Sequence, residues 1–255
     1  MTANEVWFAD RTAELKASVL FMTRLPFARA TPIGGVDIAR AVWAFPVAGM
    51  LVGAIGAVVY ALAHKVGLPP WPAAALTVGA TLAATGCLHE DGLADTVDGF
   101  GGGKTREQKL DIMRDSRIGT YGVCALVLSI LLRVSALASL AEPGLVALAL
   151  IAAHGAARAS LPVMMFLVPP ARSDGLSFAA GHPPYEGVAA AGVLGILILT
   201  ICLGLGLGIA ALILLSIALA FMAWLSLAQI DGQTGDVLGA LEQVSEILIL
   251  LIALH

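Results

Sequence analysis

The sequence predicts an all-α polytopic integral membrane helix bundle, with about seven transmembrane helices behind an amphipathic N-terminal helix. Three observations carry this. Of 255 residues, 59% are hydrophobic and only 13% are charged, where soluble domains average about 25% charged. Mean hydropathy is +0.92, an excess of apolar side chain that must face something other than water. The apolar residues also fall in runs near the ~20 residues needed to cross about 30 Å of hydrocarbon. The whole chain, residues 1–255, reads as a single membrane-embedded domain.

Taken in order, the first fifteen residues contain Glu5, Asp10 and Glu14 and lack the basic and apolar regions of a signal peptide. Insertion is therefore expected from the spans themselves. Trp7, Phe8, Leu15, Val19, Leu20 and Phe21 recur at helical spacing among charges. They predict an amphipathic helix, lying at the membrane interface or packed on the bundle, with a turn at Pro26. The expected spans are Ala41–His64, Trp71–Leu88, Thr120–Leu140 and Leu145–Val168. Gly187–Ile230 has no charge and is too long for one span, so it is split near Gly204–Gly208. Val237–Leu254 is the last. Many Gly and Ala in these spans would also let copies of the chain pack as a homo-oligomer. Cys87, Cys124 and Cys202 match no zinc spacing and read as small buried hydrophobes.

Orientation follows from the basic residues. With the N-terminus inside, Arg11, Lys16, Arg24, Arg29, Arg40, Lys104, Arg106, Lys109, Arg114, Arg117 and Arg172 share the inner side, and only Lys65 lies outside. Arg133 and Arg158 fall within spans. The net charge of −4 says little, because the charges are clustered. Three polar stretches face the same inner side: His89–Gly99, Ala171–Gly175 and Asp231–Asp236. The outer loops are short and chemically poor.

Asp91, Asp95 and Asp98 are spaced i, i+4, i+7 and share one helical face. Three carboxylates so close call for a cation, and Mg²⁺ prefers one or two carboxylates together with substrate phosphate. Gly101-Gly102-Gly103-Lys104-Thr105 resembles a nucleotide-binding loop, but Asp98 stands where that pattern needs glycine. Lys104–Arg117 reads as a short surface helix. Arg114 and Arg117 suit phosphate oxygens or serve as inner-side anchors of the next span. Glu242 and Glu246 lie one turn apart in a span; they mark function or pair with Arg133 or Arg158. His154 and Arg158 are likewise i, i+4, on a helix that could bond to its neighbours or add a second cation site.

Two segments together resemble the signature of one family. Leu88-His89-Glu90-Asp91-Gly92-Leu93-Ala94-Asp95-Thr96-Val97-Asp98-Gly99 and Ile112-Met113-Arg114-Asp115-Ser116-Arg117-Ile118-Gly119-Thr120-Tyr121-Gly122 are similar to motifs of cobalamin synthase, or adenosylcobinamide-GDP ribazoletransferase. Phe21–Pro26, Phe45–Gly49, Ala171–Leu176 and Gly232–Ala240 resemble further motifs of that family, in the right order across nearly the whole chain. Glu90 stands where the family pattern has an apolar residue, and Asp231 where a small one is usual.

The resemblance implies transfer between adenosylcobinamide-GDP and α-ribazole or its 5′-phosphate, releasing GMP with Mg²⁺ as cofactor. It implies a bacterial or archaeal plasma membrane, a cytoplasmic site and no nucleic-acid partner. On this reading Asp91, Asp95 and Asp98 hold the metal, with Glu90 assisting. Arg114 and Arg117 stabilise the leaving GMP, and His89 is the candidate base or else a helix cap. Asp115, Ser116, Arg172, Asp174, Thr234, Asp236, Glu242 and Glu246 are expected around the substrates. A CDP-alcohol phosphotransferase is the first rival, but its Ala-Arg is replaced here by Ala94-Asp95. A transporter is the second, but no internal repeat is visible.

Overall fold

The computed structural model describes residues 3–25 and 37–255, and they are helical apart from turns and an isolated bridge between Pro170 and Gln233. Eleven α-helices follow in chain order among the described residues: α1 (Ala3–Met22), α2 (Ile38–Ala41), α3 (Phe45–Lys65), α4 (Pro70–Thr85), α5 (Leu88–Gly102), α6 (Arg106–Ile112), α7 (Thr120–Leu140), α8 (Pro143–Leu167), α9 (Gly175–Ala180), α10 (Tyr185–Ile230) and α11 (Gly235–Ile252). A 3₁₀ turn, Val42–Ala44, joins α2 to α3. The turn expected at Pro26, Arg29 and the side chains of Trp7 and Phe8 lie outside the described residues.

The all-α membrane bundle expected from composition is the observed architecture, but its spans are not seven independent apolar helices. Four helices are long and apolar enough to cross a membrane, and the pair α4 and α5, bent by 89°, makes a fifth candidate. The span expected over Trp71–Leu88 ends earlier, because Gly86 (φ 66°) and Cys87 (φ 59°) turn the chain in the left-handed region. The last expected span, α11, carries Asp236, Glu242 and Glu246 and survives in the bundle by burying both glutamates.

α10 has 46 residues, about 69 Å if straight, more than twice the hydrocarbon thickness. It folds back instead. Gly204 sits at φ 77°, ψ 169°, open to glycine and strained for other residues. A Cβ on Gly208 would lie 3.3 Å from the carbonyl carbon of Leu199, so the two arms run antiparallel. The split near Gly204–Gly208 is therefore where the sequence places it.

α1 is held on the bundle. The Ser18 hydroxyl donates to the carbonyl of Ala41 at 2.5 Å, and the Trp43 indole N–H donates to Glu14 at 2.7 Å. Glu14, Ala17 and Met22 are buried. The packing expected of this helix is therefore present. The cysteines are free as expected, but Cys87 and Cys124 are exposed rather than buried. Lys104–Arg117 yields the expected short helix, α6, with Leu110 and Met113 buried. Gly101 and Gly102 belong to the last turn of α5, not to a loop.

Contacts sort the bundle into two ends. At one, the backbone N–H of Arg24 donates to Ala84, and Arg106 reaches the carbonyls of Ile230 and Ala171 and the carboxylate of Asp231. At the other, Tyr60 donates to Ala141, and Leu140, Leu203, Leu207 and Leu254 surround one cavity. The three polar stretches therefore gather at one end and the poor loops at the other.

The tightest crossing is α3 on α8. A Cβ on Gly49 would lie 2.1 Å from the carbonyl oxygen of His154, whereas one on Gly79 would meet nothing within 4 Å. Gly49→Ala is expected to destabilise the protein by about 1–3 kcal/mol or more through overpacking. Gly79→Ala should be neutral or stabilise by up to about 1 kcal/mol. Thermal unfolding of both variants in detergent checks the contrast.

Candidate active site

α5 rises from the middle of the bundle to its polar end. Its base, His89 and Glu90, is level with Arg133 of α7 and Glu246 of α11; its upper part reaches the start of α7 at Gly119. Gly92 and Gly239 let α5 and α11 touch backbone to backbone: a Cβ on Gly92 would lie 2.8 Å from the carbonyl oxygen of Asp236. That contact brings Asp236 beside the predicted acidic face. Asp95, half-buried, lies in the field of Asp91, Asp236 and Asp98, with Arg172 as the opposing cation. The side chain of Arg172 reaches Asp236 at 3.5 Å and Asp174 at 3.4 Å, and its Nη1 is buried with no partner. Thr234 caps α11 through the N–H of Val237, and its hydroxyl donates to Asp236 at 3.1 Å.

Asp98 departs from the expected ligand set. Its carboxylate accepts the N–H of Gly119 at 2.7 Å and of Gly122 at 2.9 Å, so both oxygens serve the first turn of α7. A carboxylate at a helix N-terminus satisfies otherwise orphaned donors and meets the positive end of the helix dipole. The open carboxylates of the face are therefore Asp91, Asp95 and Asp236.

Arg114 and Arg117 also have partners the sequence did not announce. Nη2 of Arg114 donates to both carboxylate oxygens of Asp174, at 2.7 and 2.8 Å, and Arg117 grips Asp115 at 2.6 Å. The hydrogen bond from Arg114 holds the Asp174 carboxyl below its usual range, and that from Arg117 pulls Asp115 down to about 2. The first pair ties the turn after α6 to the turn before α9. Ser116 is exposed in that first turn.

Below the acidic face lies a second polar group, wholly internal. Arg133 bridges Glu90 at 2.9 Å and Glu246 at 3.3 Å. Arg158 meets Glu242 at 2.5 Å, His89 Nδ1 at 3.3 Å and the carbonyl of His154 at 3.0 Å. His154 Nδ1 lies 3.2 Å from Glu246. Gln243 donates to Glu90 and Glu242 and accepts from Ser129. Among the described residues, His154, Glu242 and Glu246 are the one trio of possible metal donors within 4.8 Å of one another. Two guanidiniums already neutralise its carboxylates.

Three expectations change here. Glu90 turns inward to Arg133 and does not join Asp91. Glu242 and Glu246 are ion-pair partners buried in the bundle, not part of an open pocket. His89 is buried with Nδ1 against Arg158, and it faces away from the acidic face. Sequence reasoning foresaw that Arg133 and Arg158 could pair with Glu242 and Glu246. It missed Glu90, although an acid where an apolar residue is usual was the available signal.

Comparison with known proteins bears on the whole arrangement. The family model described as cobalamin-5-phosphate synthase matches residues 14–254. The chain belongs to the cobalamin-5-phosphate synthase family. It is 58% identical to the adenosylcobinamide-GDP ribazoletransferase of Bradyrhizobium diazoefficiens over 241 residues, covering 94% of this chain and 93% of that one. It is 56% identical to the protein of the same name from Mesorhizobium japonicum over 235 residues, 92% and 90% of the two chains. The corresponding figures for Azorhizobium caulinodans are 44% over 252 residues and 94% of each. No solved structure matches.

Within this cobalamin-5-phosphate synthase family member the Glu90–Arg133 pair gives a direct test. Arg133→Met leaves Glu90 and Glu246 buried without their cation and is expected to cost about 3–5 kcal/mol. Adding Glu90→Leu should recover part of that loss. Denaturation of the single and double variants in detergent measures both.

Proposed function

We propose that this chain joins adenosylcobinamide-GDP to α-ribazole, or its 5′-phosphate, with release of GMP, at the face formed by Asp91, Asp95 and Asp236. The observation that carries the reading is the convergence of two family motifs on Asp95. One supplies Asp91 from α5 and the other Asp236 from α11, with Arg172 between them and Asp174. The names borne by its relatives supply the substrates.

Three carboxylates with one nearby guanidinium leave negative charge to be met. Their oxygens do not close within 4.8 Å of one another as the internal trio does, so what they fit is Mg²⁺ held by one or two carboxylates together with substrate phosphate. One or two of Asp91, Asp95 and Asp236 would hold it; when bound, it supplies neutralisation of the pyrophosphate oxygens. Arg172 offers its unpartnered Nη1 to the same phosphate group. A ribose hydroxyl attacks the phosphorus nearer the cobinamide, the bond to GMP breaks, and a carboxylate of the face takes the hydroxyl proton. Asp98 keeps α5 and α7 in register beneath these groups. The excess of basic residues at this end supports a cytoplasmic site in the plasma membrane.

The test is turnover by protein in membranes given both substrates, with Mg²⁺ or with EDTA. GMP and a completed corrinoid should appear only with the metal. Asp95→Asn should lower the rate by about 10²–10³-fold or more with folding intact. Near-normal turnover in that variant would overturn the placement of the site, and no GMP from folded wild-type protein would overturn the reaction.

A further inference from the structure

The internal group of charges does not balance. Glu90, Glu242 and Glu246 bring three buried carboxylates, and Arg133 and Arg158 bring two guanidiniums. Among the described residues one negative charge is left over, in the middle of the bundle. α3 and α10 also pack on α8, but their charged residues stand only at their ends: His64 and Lys65 on one, Glu186 on the other. An uncompensated charge in a membrane interior is expensive.

The distances locate the surplus. Arg158 meets one carboxylate, Glu242, at 2.5 Å. Arg133 is shared, its Nη1 reaching Glu90 at 2.9 Å and Glu246 at 3.3 Å. Glu90 is the nearer of the two and also accepts from Gln243 at 3.1 Å. Glu246 is the farther, and its second oxygen faces Nδ1 of His154 at 3.2 Å. His154 stands midway along α8, buried, and its Nε2 has no partner. Nη1 of Arg158 lies 3.3 Å from the same Nδ1, but it already serves the carbonyl of His154 at 3.0 Å and the carboxylate of Glu242. Nδ1 is thus left to Glu246. The other imidazole of the group, His89, accepts through Nδ1 from Arg158 and is 3.9 Å from Glu242, too far for a hydrogen bond.

We propose that the contact between Glu246 and His154 is a proton-binding site in the membrane interior, holding one proton on the carboxyl or on the ring and thereby bringing the whole cluster to neutrality. The two placements carry the same charge. A protonated carboxyl donates to Nδ1; an imidazolium, protonated on both nitrogens, donates to the carboxylate. A proton is the ligand that fits. A divalent ion on His154, Glu242 and Glu246 would turn the surplus positive, and it would stand against Arg158, which already occupies Glu242. The site does not depend on the reaction proposed above. It bonds α8 to α11, the helix that brings Asp236 to the acidic face.

Occupancy is tested at about pH 8, where a free carboxyl and a free imidazole have both lost their protons. Infrared spectra of the wild type and Glu246→Gln should differ by the C=O stretch of one protonated carboxyl, or nitrogen NMR spectra of the wild type and His154→Gln by one imidazolium. Either signal supports the site, and neither signal from folded wild-type protein overturns it. A divalent ion that survives Asp95→Asn but is lost from His154→Gln, in elemental analysis of the purified protein, also overturns it. Stability gives a second test. Glu246→Gln keeps the shape of the neutral acid, so its unfolding temperature in detergent should stay within about 2 °C of the wild type. Glu242→Gln strips Arg158 of its carboxylate and should lower that temperature by about 6 °C or more. An equal fall in both variants, or failure of Glu246→Gln to fold, overturns the proposal.

Discussion

Two guanidinium groups in the middle of the bundle, Arg133 of α7 and Arg158 of α8, decide how four helices meet. Each is about 1% exposed, out of reach of bulk solvent. Their partners come from α5 and α11: Glu90, Glu242, Glu246 and the ring of His89. Such pairs are weak evidence for net stability, because desolvation offsets most of the attraction. Their effect is on choice of arrangement. A register in which an arginine missed its carboxylate would strand a charge in the membrane interior, and that penalty excludes it.

The acidic face is a consequence of this anchoring. With its base fixed to α7, α8 and α11, α5 has one direction in which to run, and its carboxylates follow. Gly92 and Gly239 bring α11 into contact, which adds Asp236 to a face that α5 alone would leave with two open carboxylates. Asp98 closes the other end by capping α7. Around the rim, Arg114, Asp174 and Arg172 join the turn after α6 to α9 and α11. The carboxylates of this face thus sit on rigid helices, and the turns beside them are tied by charge-assisted bonds.

Much of this was legible in the sequence because it is written in local patterns. Hydropathy located the apolar spans, length alone demanded a break in the run ending at Ile230, and the i, i+4, i+7 spacing put Asp91, Asp95 and Asp98 on one face. The family motifs pointed to the same residues. What escaped was non-local or carried by backbone. Glu90 and Arg133 are 43 residues apart and read separately as a departure and a stray charge. The role of Asp98 depends on the N–H groups of Gly119 and Gly122, which have no signature in side-chain pattern. The bend at Cys87 uses a left-handed conformation that composition gives no reason to expect there. α11 likewise is tolerated in the bundle because its acids find partners on other helices.

The division of charges between helices also imposes an order in time. Arg133 and Arg158 are synthesised well before α11, which carries two of the three carboxylates they require. Until that helix emerges, α7 and α8 each hold a buried-type cation whose main counter-charge does not yet exist, with Glu90 alone to serve both. Arrival of α11 supplies both missing glutamates at once and seats Asp236 in the same movement. The helix that neutralises the two arginines is thus the same one that completes the acidic face.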